Sequence, residues 1–245
     1  MENNSSEMNV LEHLDELRKR LLYSLISLVI CVIIAIIFAD YLIDIVAKPV
    51  GGFEKLLSIQ ITENISVFFR ISLLAGFIMA FPFILLQIFL FINPGLKKKE
   101  RRWLIRVIPI ATILFVAGVI FAYFVMLPVA VPFLIEFPGP EVLPKWKDYV
   151  NFVTGMIFWI AVSFETPLFM FVLAKLGIVS AKGLIKQWRL ALVLIAIIAA
   201  VVTPTPDPIN MFILMVPLIV LYILSIILAV FAGKQKQAEG DEYVS

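Results

Sequence analysis

A chain of 245 residues is long enough for one or two soluble domains, yet 62 per cent of it is hydrophobic and only 16 per cent charged. A soluble domain sits nearer half apolar and a quarter charged, so a mean hydropathy of +1.05 excludes that class and points to membrane-length segments. The net charge of +2 comes from lysines and arginines grouped in loops, not from a basic stripe interleaved with aromatics, which excludes a nucleic-acid partner.

Residues 1–9 are polar. From Val10 onward, Val10, Leu14, Leu17 and Leu21 recur at helical spacing among Glu12, Asp15, Glu16, Arg18, Lys19 and Arg20. This predicts an amphipathic helix at the membrane surface that runs into a first span. The run from Leu21 to Ala39 is nineteen residues without a charge, about 28 Å of helix and enough to cross. It is longer than the apolar core of a cleaved signal peptide, and is expected to be retained. Asp40 to Glu63 reads as a polar loop broken at Pro49-Val50-Gly51-Gly52, with Thr62 and Glu63 as a helix start.

A second span covers about residues 65–92 and ends at Asn93-Pro94-Gly95. Lys97, Lys98, Lys99, Arg101, Arg102 and Arg106 follow, the densest positive run in the chain, and must lie in a loop outside hydrocarbon. One acid, Glu100, stands among them. By charge arithmetic alone it is ordinary charge balance at a solvated helix start. The third span is expected over about 105–127. A proline-rich outer segment follows, from Glu136 to Tyr149, with Trp146 and Tyr149 expected at the membrane interface.

The fourth span covers about 150–173, and Lys175 to Arg189 forms a second basic loop. The fifth is short: only Leu190 to Val202 is apolar before Thr203-Pro204-Thr205-Pro206-Asp207-Pro208, thirteen residues or about 20 Å. The sixth covers about 209–231, and 232–245 is a tail. Prolines 82, 109, 167 and 217 are expected to bend the helices that hold them. The expected fold is therefore an all-α integral membrane protein, one membrane domain of six kinked transmembrane helices. Fifteen of the twenty basic residues fall on the side that holds both termini, which makes that side cytoplasmic, N-in and C-in.

The sequence offers little ordinary chemistry. One cysteine, Cys31, and one histidine, His13, allow neither a disulfide nor a multi-histidine metal site. No phosphate loop, nucleophile triad or zinc spacing occurs, so neither an enzyme nor a cofactor is expected. Glu165 is the polar residue hardest to explain. It lies ten residues from Lys175, about 15 Å along a helix, which places it near the bilayer centre. A carboxylate there costs several kcal/mol and is functional by default. Asp207 reads as a turn residue, and Glu16 as i,i+4 support for Arg20.

Several of these stretches resemble the TatC family, the six-span receptor subunit of the twin-arginine protein translocase. His13-Leu14-Asp15-Glu16-Leu17-Arg18-Lys19-Arg20 is similar to the family's H-L-x-E-L-R-x-R segment, and Pro94 to Arg102 to its P-A-L-x-x-x-E-R-R loop. Phe121-Ala122-Tyr123-Phe124, Ser163-Phe164-Glu165-Thr166-Pro167 and the Thr203 to Asp207 turn fall in the corresponding order. Departures are Gly95 for the usual alanine, Asn64 where a proline often follows the glutamate, and an extra residue in the last turn.

The resemblance implies a receptor for twin-arginine signal peptides of folded cargo. Its arginine pair would meet acids matching Glu16 and Glu100, beside Arg18, Arg101 and the aromatic Phe91. Pro49, Glu63 and Asp207 become candidates on the opposite, periplasmic side, and Glu165 a candidate for assembly within the membrane. TatA- and TatB-type single-span partners, an oligomeric complex and transport driven by the proton-motive force are implied too, in a prokaryotic cytoplasmic membrane. The competing class is a proton-coupled small-molecule secondary transporter using Glu165. It leaves the acids of the inner face unexplained and predicts inverted repeats, of which the sequence carries no convincing trace.

The charge distribution predicts sidedness directly. Single cysteines at Lys98, Lys182 or Gln235, in a Cys31→Ser background, should react with an impermeant thiol reagent only from the cytoplasmic side. Cysteines at Glu54, Glu141 or Asp207 should react only from outside. Labelling of positions 98 and 141 from the same side defeats the six-span topology.

Overall fold

The computed structural model describes the backbone of residues 10–92, 98–135, 144–202 and 208–241, and the side chains of 13–91, 107–135, 144–201, 208 and 211–233. Ten α-helices follow one another among these: α1 Val10–Ile37, α2 Ala39–Ala47, α3 Glu63–Ile92, α4 Lys98–Phe121, α5 Leu127–Ile135, α6 Trp146–Phe164, α7 Thr166–Leu176, α8 Ala181–Lys186, α9 Trp188–Val202 and α10 Pro208–Asp241. The fold class is all-helical; among the described residues, β pairing is limited to one isolated bridge, Leu57 with Lys145. Among the described residues five stretches are long and apolar enough to cross a membrane: His13–Ile37, Glu63–Phe91, Val107–Ile135, Trp146–Leu176 and Met211–Gly233. Trp188–Val201 is apolar but shorter.

The chain forms two compact units, Met1–Val46 with Gln60–Ile113, and Ala47–Ile59 with Leu114–Ser245. In the first, α1 and α3 pack as an antiparallel pair. Their seam is made of small residues. Ser72, Gly76 and Ala80 recur every fourth residue on α3 and are all buried, as Ala35 is on α1. A Cβ placed on Gly76 would lie 2.7 Å from the Cα of Val32 and 2.8 Å from its nitrogen, so the two backbones touch there. Close approach of this kind is how helices associate where no water is available to drive them together.

The segment from Asp40 to Glu63, expected as a loop, begins with α2. Asp40 and Asp44 are exposed on one side of it while Ala39, Val46 and Ala47 are buried, so two acids one turn apart mark a helix face rather than a loop. Past α2, a 3₁₀ turn at Lys48–Val50 ends in Gly51, whose φ of 93° is the left-handed cap.

In the second unit this turn leads into a strap. The Leu57 nitrogen donates to the Pro144 carbonyl at 3.1 Å, and the Trp146 nitrogen donates to the Leu57 carbonyl at 2.8 Å. The Phe53 ring stands edge-on to Trp146 at 5.4 Å. Trp146 and Tyr149, expected at the membrane interface, are each only 6 per cent exposed. The third long stretch also runs on past Leu127 to Ile135, through a π-helical turn at Ala122–Met126. Helix α6 packs on α4 at Gly118, where a Cβ would come within 2.8 Å of the Ala161 Cα. Helix α10 packs along α7 and α9. At the far end Ser180 caps α8, its Oγ accepting from the Gly183 nitrogen at 3.0 Å.

Two glycines make a matched test of the seam. Gly76→Ala drives a methyl into the Val32 backbone and should cost about 1–3 kcal/mol of stability, as overpacking does. At Gly155 in α6 a Cβ meets nothing within 4 Å, so Gly155→Ala should be neutral or stabilising. Thermal unfolding of the purified variants in detergent checks both. Equal melting temperatures for Gly76→Ala and wild type would remove the seam from the account.

Candidate functional site

The antiparallel α1–α3 pair brings the N-terminal end of α1 beside the C-terminal end of α3, and polar groups gather there. Arg20 links the two helices. Its Nη2 meets the Glu16 Oε1 at 3.3 Å, one helical turn back, and its Nη1 donates to the Gln87 Oε1 at 3.2 Å. Gln87 is only 5 per cent exposed, so its amide is fixed within the helix pair. A few residues further along, the His13 ring stacks on Phe91 with centroids 4.5 Å apart and planes 23° from parallel. Asp15, Glu16, Lys19, Arg20 and Tyr23 line an open depression of about 550 Å³.

Glu16 is thus a half-buried carboxylate oriented by its own neighbour, and Phe91 is a half-buried ring held by a histidine. One bond through Oε1 uses one of about four acceptor positions on a carboxylate, so the group can still take an incoming guanidinium. Arg18 is exposed on the same turn of α1. Glu100 and Arg101 fall in the first turn of α4, and their side chains lie outside the described residues, as does the whole of Asp207. The structure therefore brings Glu16 and Phe91 to one end of one helix pair. Gln87 was missed by the sequence reading. Its signal was available: it is the one polar residue between Pro82 and Ile92 in α3, and a polar side chain at membrane depth needs a partner.

Pro49 lies in the 3₁₀ turn of the strap, and Glu63 is the first residue of α3, 5 per cent exposed with its nitrogen donating to the Gln60 carbonyl at 3.0 Å. The Thr62 carbonyl accepts from the Ser66 nitrogen at 3.1 Å, as expected of the residue that starts the helix.

Glu165 occupies the break between α6 and α7. Pro167 has no N–H, so the ladder opens at this turn, and Ser163 turns its hydroxyl back onto the Trp159 carbonyl at 2.7 Å. The Glu165 carboxyl is half-buried, has the Phe115 backbone as a hydrogen-bonding neighbour, and keeps Oε1 buried with no partner. Phe164, one residue back, packs on Phe121 at 5.4 Å. Among the described residues no group of three His, Cys, Asp or Glu is placed to hold a metal ion.

Fold and polar residues together define a multi-pass helical membrane protein. The family model described as "Sec-independent protein translocase protein (TatC)" matches residues 12–217. The Sec-independent protein translocase protein TatC of Carboxydothermus hydrogenoformans is 39% identical over 237 residues, covering 96% of this chain and 97% of that protein. That of Deinococcus radiodurans is 39% identical over 227 residues, covering 89% and 84%. The crystal structure of the twin arginine translocase receptor TatC superimposes with a TM-score of 0.81 at 33% identity, over 90% of this chain and 99% of that one. The chain belongs to the TatC family of Sec-independent protein translocase proteins.

Proposed function

We propose that this protein is the receptor for twin-arginine signal peptides, which it binds at the end of the α1–α3 pair, on the cytoplasmic face. The observation that carries this reading is the half-buried Glu16 carboxylate, held by Arg20 at the same end of the helix pair as the His13–Phe91 stack. A guanidinium cannot be neutralised and seeks a carboxylate in bidentate geometry. The apolar part of a signal peptide would find Phe91 alongside. Glu100 and Arg101, at the start of α4, complete the site in this reading, with Glu100 kept ionised by the lysines and arginines around it. Six spans with both termini cytoplasmic, in a prokaryotic cytoplasmic membrane, follow from the bias of basic residues. TatA- and TatB-type single-span subunits are its partners, and transport of the folded cargo draws on the proton-motive force.

Glu16→Ala and Glu100→Ala should each weaken binding of a twin-arginine peptide by about tenfold or more, the worth of a charge-assisted contact of about 1.5–3 kcal/mol. Glu100→Arg should be worse than alanine because it adds repulsion. Binding is read by titrating a fluorescent peptide onto detergent-purified protein, with melting temperature as the control for folding. Unchanged affinity in both alanine variants refutes the assignment.

For Glu165 we propose an assembly role, its unpartnered oxygen taking a donor from a partner helix. Glu165→Gln keeps size and hydrogen bonding and should retain export of a folded reporter. Glu165→Leu should impair both export and crosslinking to partner subunits while signal-peptide binding persists. If glutamine is as inactive as leucine although partner crosslinking survives, a protonation cycle is the better account of this residue.

A further inference from the structure

The corner formed by α8 and the start of α9 is basic, and among the described residues no acid balances it. Between Glu165 and Asp207 the sequence carries Lys175, Lys182, Lys186 and Arg189 and not one Asp or Glu. The other basic segments differ: Arg20 is paired with Glu16, and Glu100 stands inside the Lys97–Arg102 run. Among the described residues no acid pairs with Lys182, Lys186 or Arg189.

This corner is also fixed in place. Leu184 is buried against Ala174, Ala229 and Ala232. The Tyr222 hydroxyl of α10 donates to the Leu184 carbonyl at 2.7 Å. With Leu184 turned inward, Lys182, Lys186 and Arg189 are all exposed, and apolar groups are exposed between them: Ile185 at 54 per cent and Trp188 at 50 per cent. The Arg189 guanidinium carbon lies 5.6 Å from the centre of the Trp188 ring.

Depth follows from length. Helix α9 has 15 residues, about 22 Å, against a hydrocarbon core of about 30 Å. So short a span draws its ends toward the acyl region, which sets the cations at its start level with lipid phosphates rather than in the water beyond them. An exposed tryptophan beside cations is what that depth selects. Below it, Val193, Leu194, Ile197 and Val201 form an exposed apolar stripe down α9.

We propose that this corner is a binding site for an anionic phospholipid, its phosphate held by Lys182, Lys186 and Arg189 and its acyl chains laid along the α9 stripe. The charge alone would also suit an acidic protein segment. The stripe decides for a lipid, because it offers a soluble acidic chain nothing and an acyl chain a continuous surface.

The test is lipid retention by native mass spectrometry, on protein released from micelles holding equal phosphatidylglycerol and phosphatidylcholine. Wild type should retain phosphatidylglycerol in preference. Each neutralised cation should cost roughly fivefold in affinity, and Lys182→Gln, Lys186→Gln and Arg189→Gln together about a hundredfold. A control with Lys97→Gln, Lys98→Gln and Lys99→Gln should keep the preference. Melting temperature in phosphatidylcholine alone reports folding, and if the triple variant is unfolded the single Lys186→Gln carries the fivefold test. Retention unchanged in the α8–α9 variants, or lost equally in the control, overturns the proposal. Displacement of the lipid by soluble polyglutamate would overturn it in favour of an acidic protein partner.

Discussion

Hydrocarbon offers no water to a peptide group, so each N–H and C=O within a span has to find its partner inside the protein. Helices meet that demand by themselves, and the described backbone is helical almost throughout. The demand extends to hydroxyls. Thr112, Thr154, Ser163 and Ser225 each donate to the carbonyl four residues back, at 3.0, 2.6, 2.7 and 2.8 Å, and so carry their polarity without a partner helix. Among the described residues two buried polar atoms escape this rule, the Ser72 Oγ and the Glu165 Oε1. Each carries a penalty of about 1–3 kcal/mol for the missing bond. At Ser72 smallness accounts for it: the residue sits one turn from Gly76 on a seam where the helices touch. Packing gives no such account of Glu165, a long acidic side chain at an opened turn.

The polar end of the α1–α3 pair is organised around a single guanidinium. An i,i+4 pair between half-exposed Glu16 and Arg20 is worth a few tenths of a kcal/mol on its own. The bond to buried Gln87 weighs more, since an amide without its partner there would pay the desolvation penalty in full. Contacts of 3.3 and 3.2 Å are longer than the 2.7–2.9 Å of a strong charge-assisted bond. Arg20 therefore orients Glu16 without saturating it. The His13–Phe91 stack links the same pair of helices at the same end.

Apolar run length was enough to read the helical class and the long crossing segments from the sequence, because hydrophobicity and spacing are local properties. The motif residues also fell where a family resemblance could be seen, and the comparisons established that family. What the sequence hid was tertiary. Asp40 and Asp44 looked like loop residues because a one-dimensional reading does not show that they share the outer face of α2. The burial of Trp146 and Tyr149 was not legible, because the strap that packs on Trp146, residues 47–59, is remote in sequence. The π-helical turn at Ala122–Met126 has no composition of its own. Gln87 was legible as an isolated polar residue, but its partner, 67 positions away, was not.

The two ends of the first unit are mechanically one object. In the most apolar window of the first span only 6 per cent of residues are buried, against 44 per cent in the stretch Trp146–Leu176, and α1 is held chiefly by α3. Within that contact Gly76 meets Val32 and Gln87 meets Arg20, two points eleven residues or about 16 Å apart along α3. A helix held at two such points can neither slide nor turn without breaking one of them. Glu16 lies one turn from the second point, so the position of its carboxylate is set as much by a glycine seam deep in the membrane as by the arginine beside it.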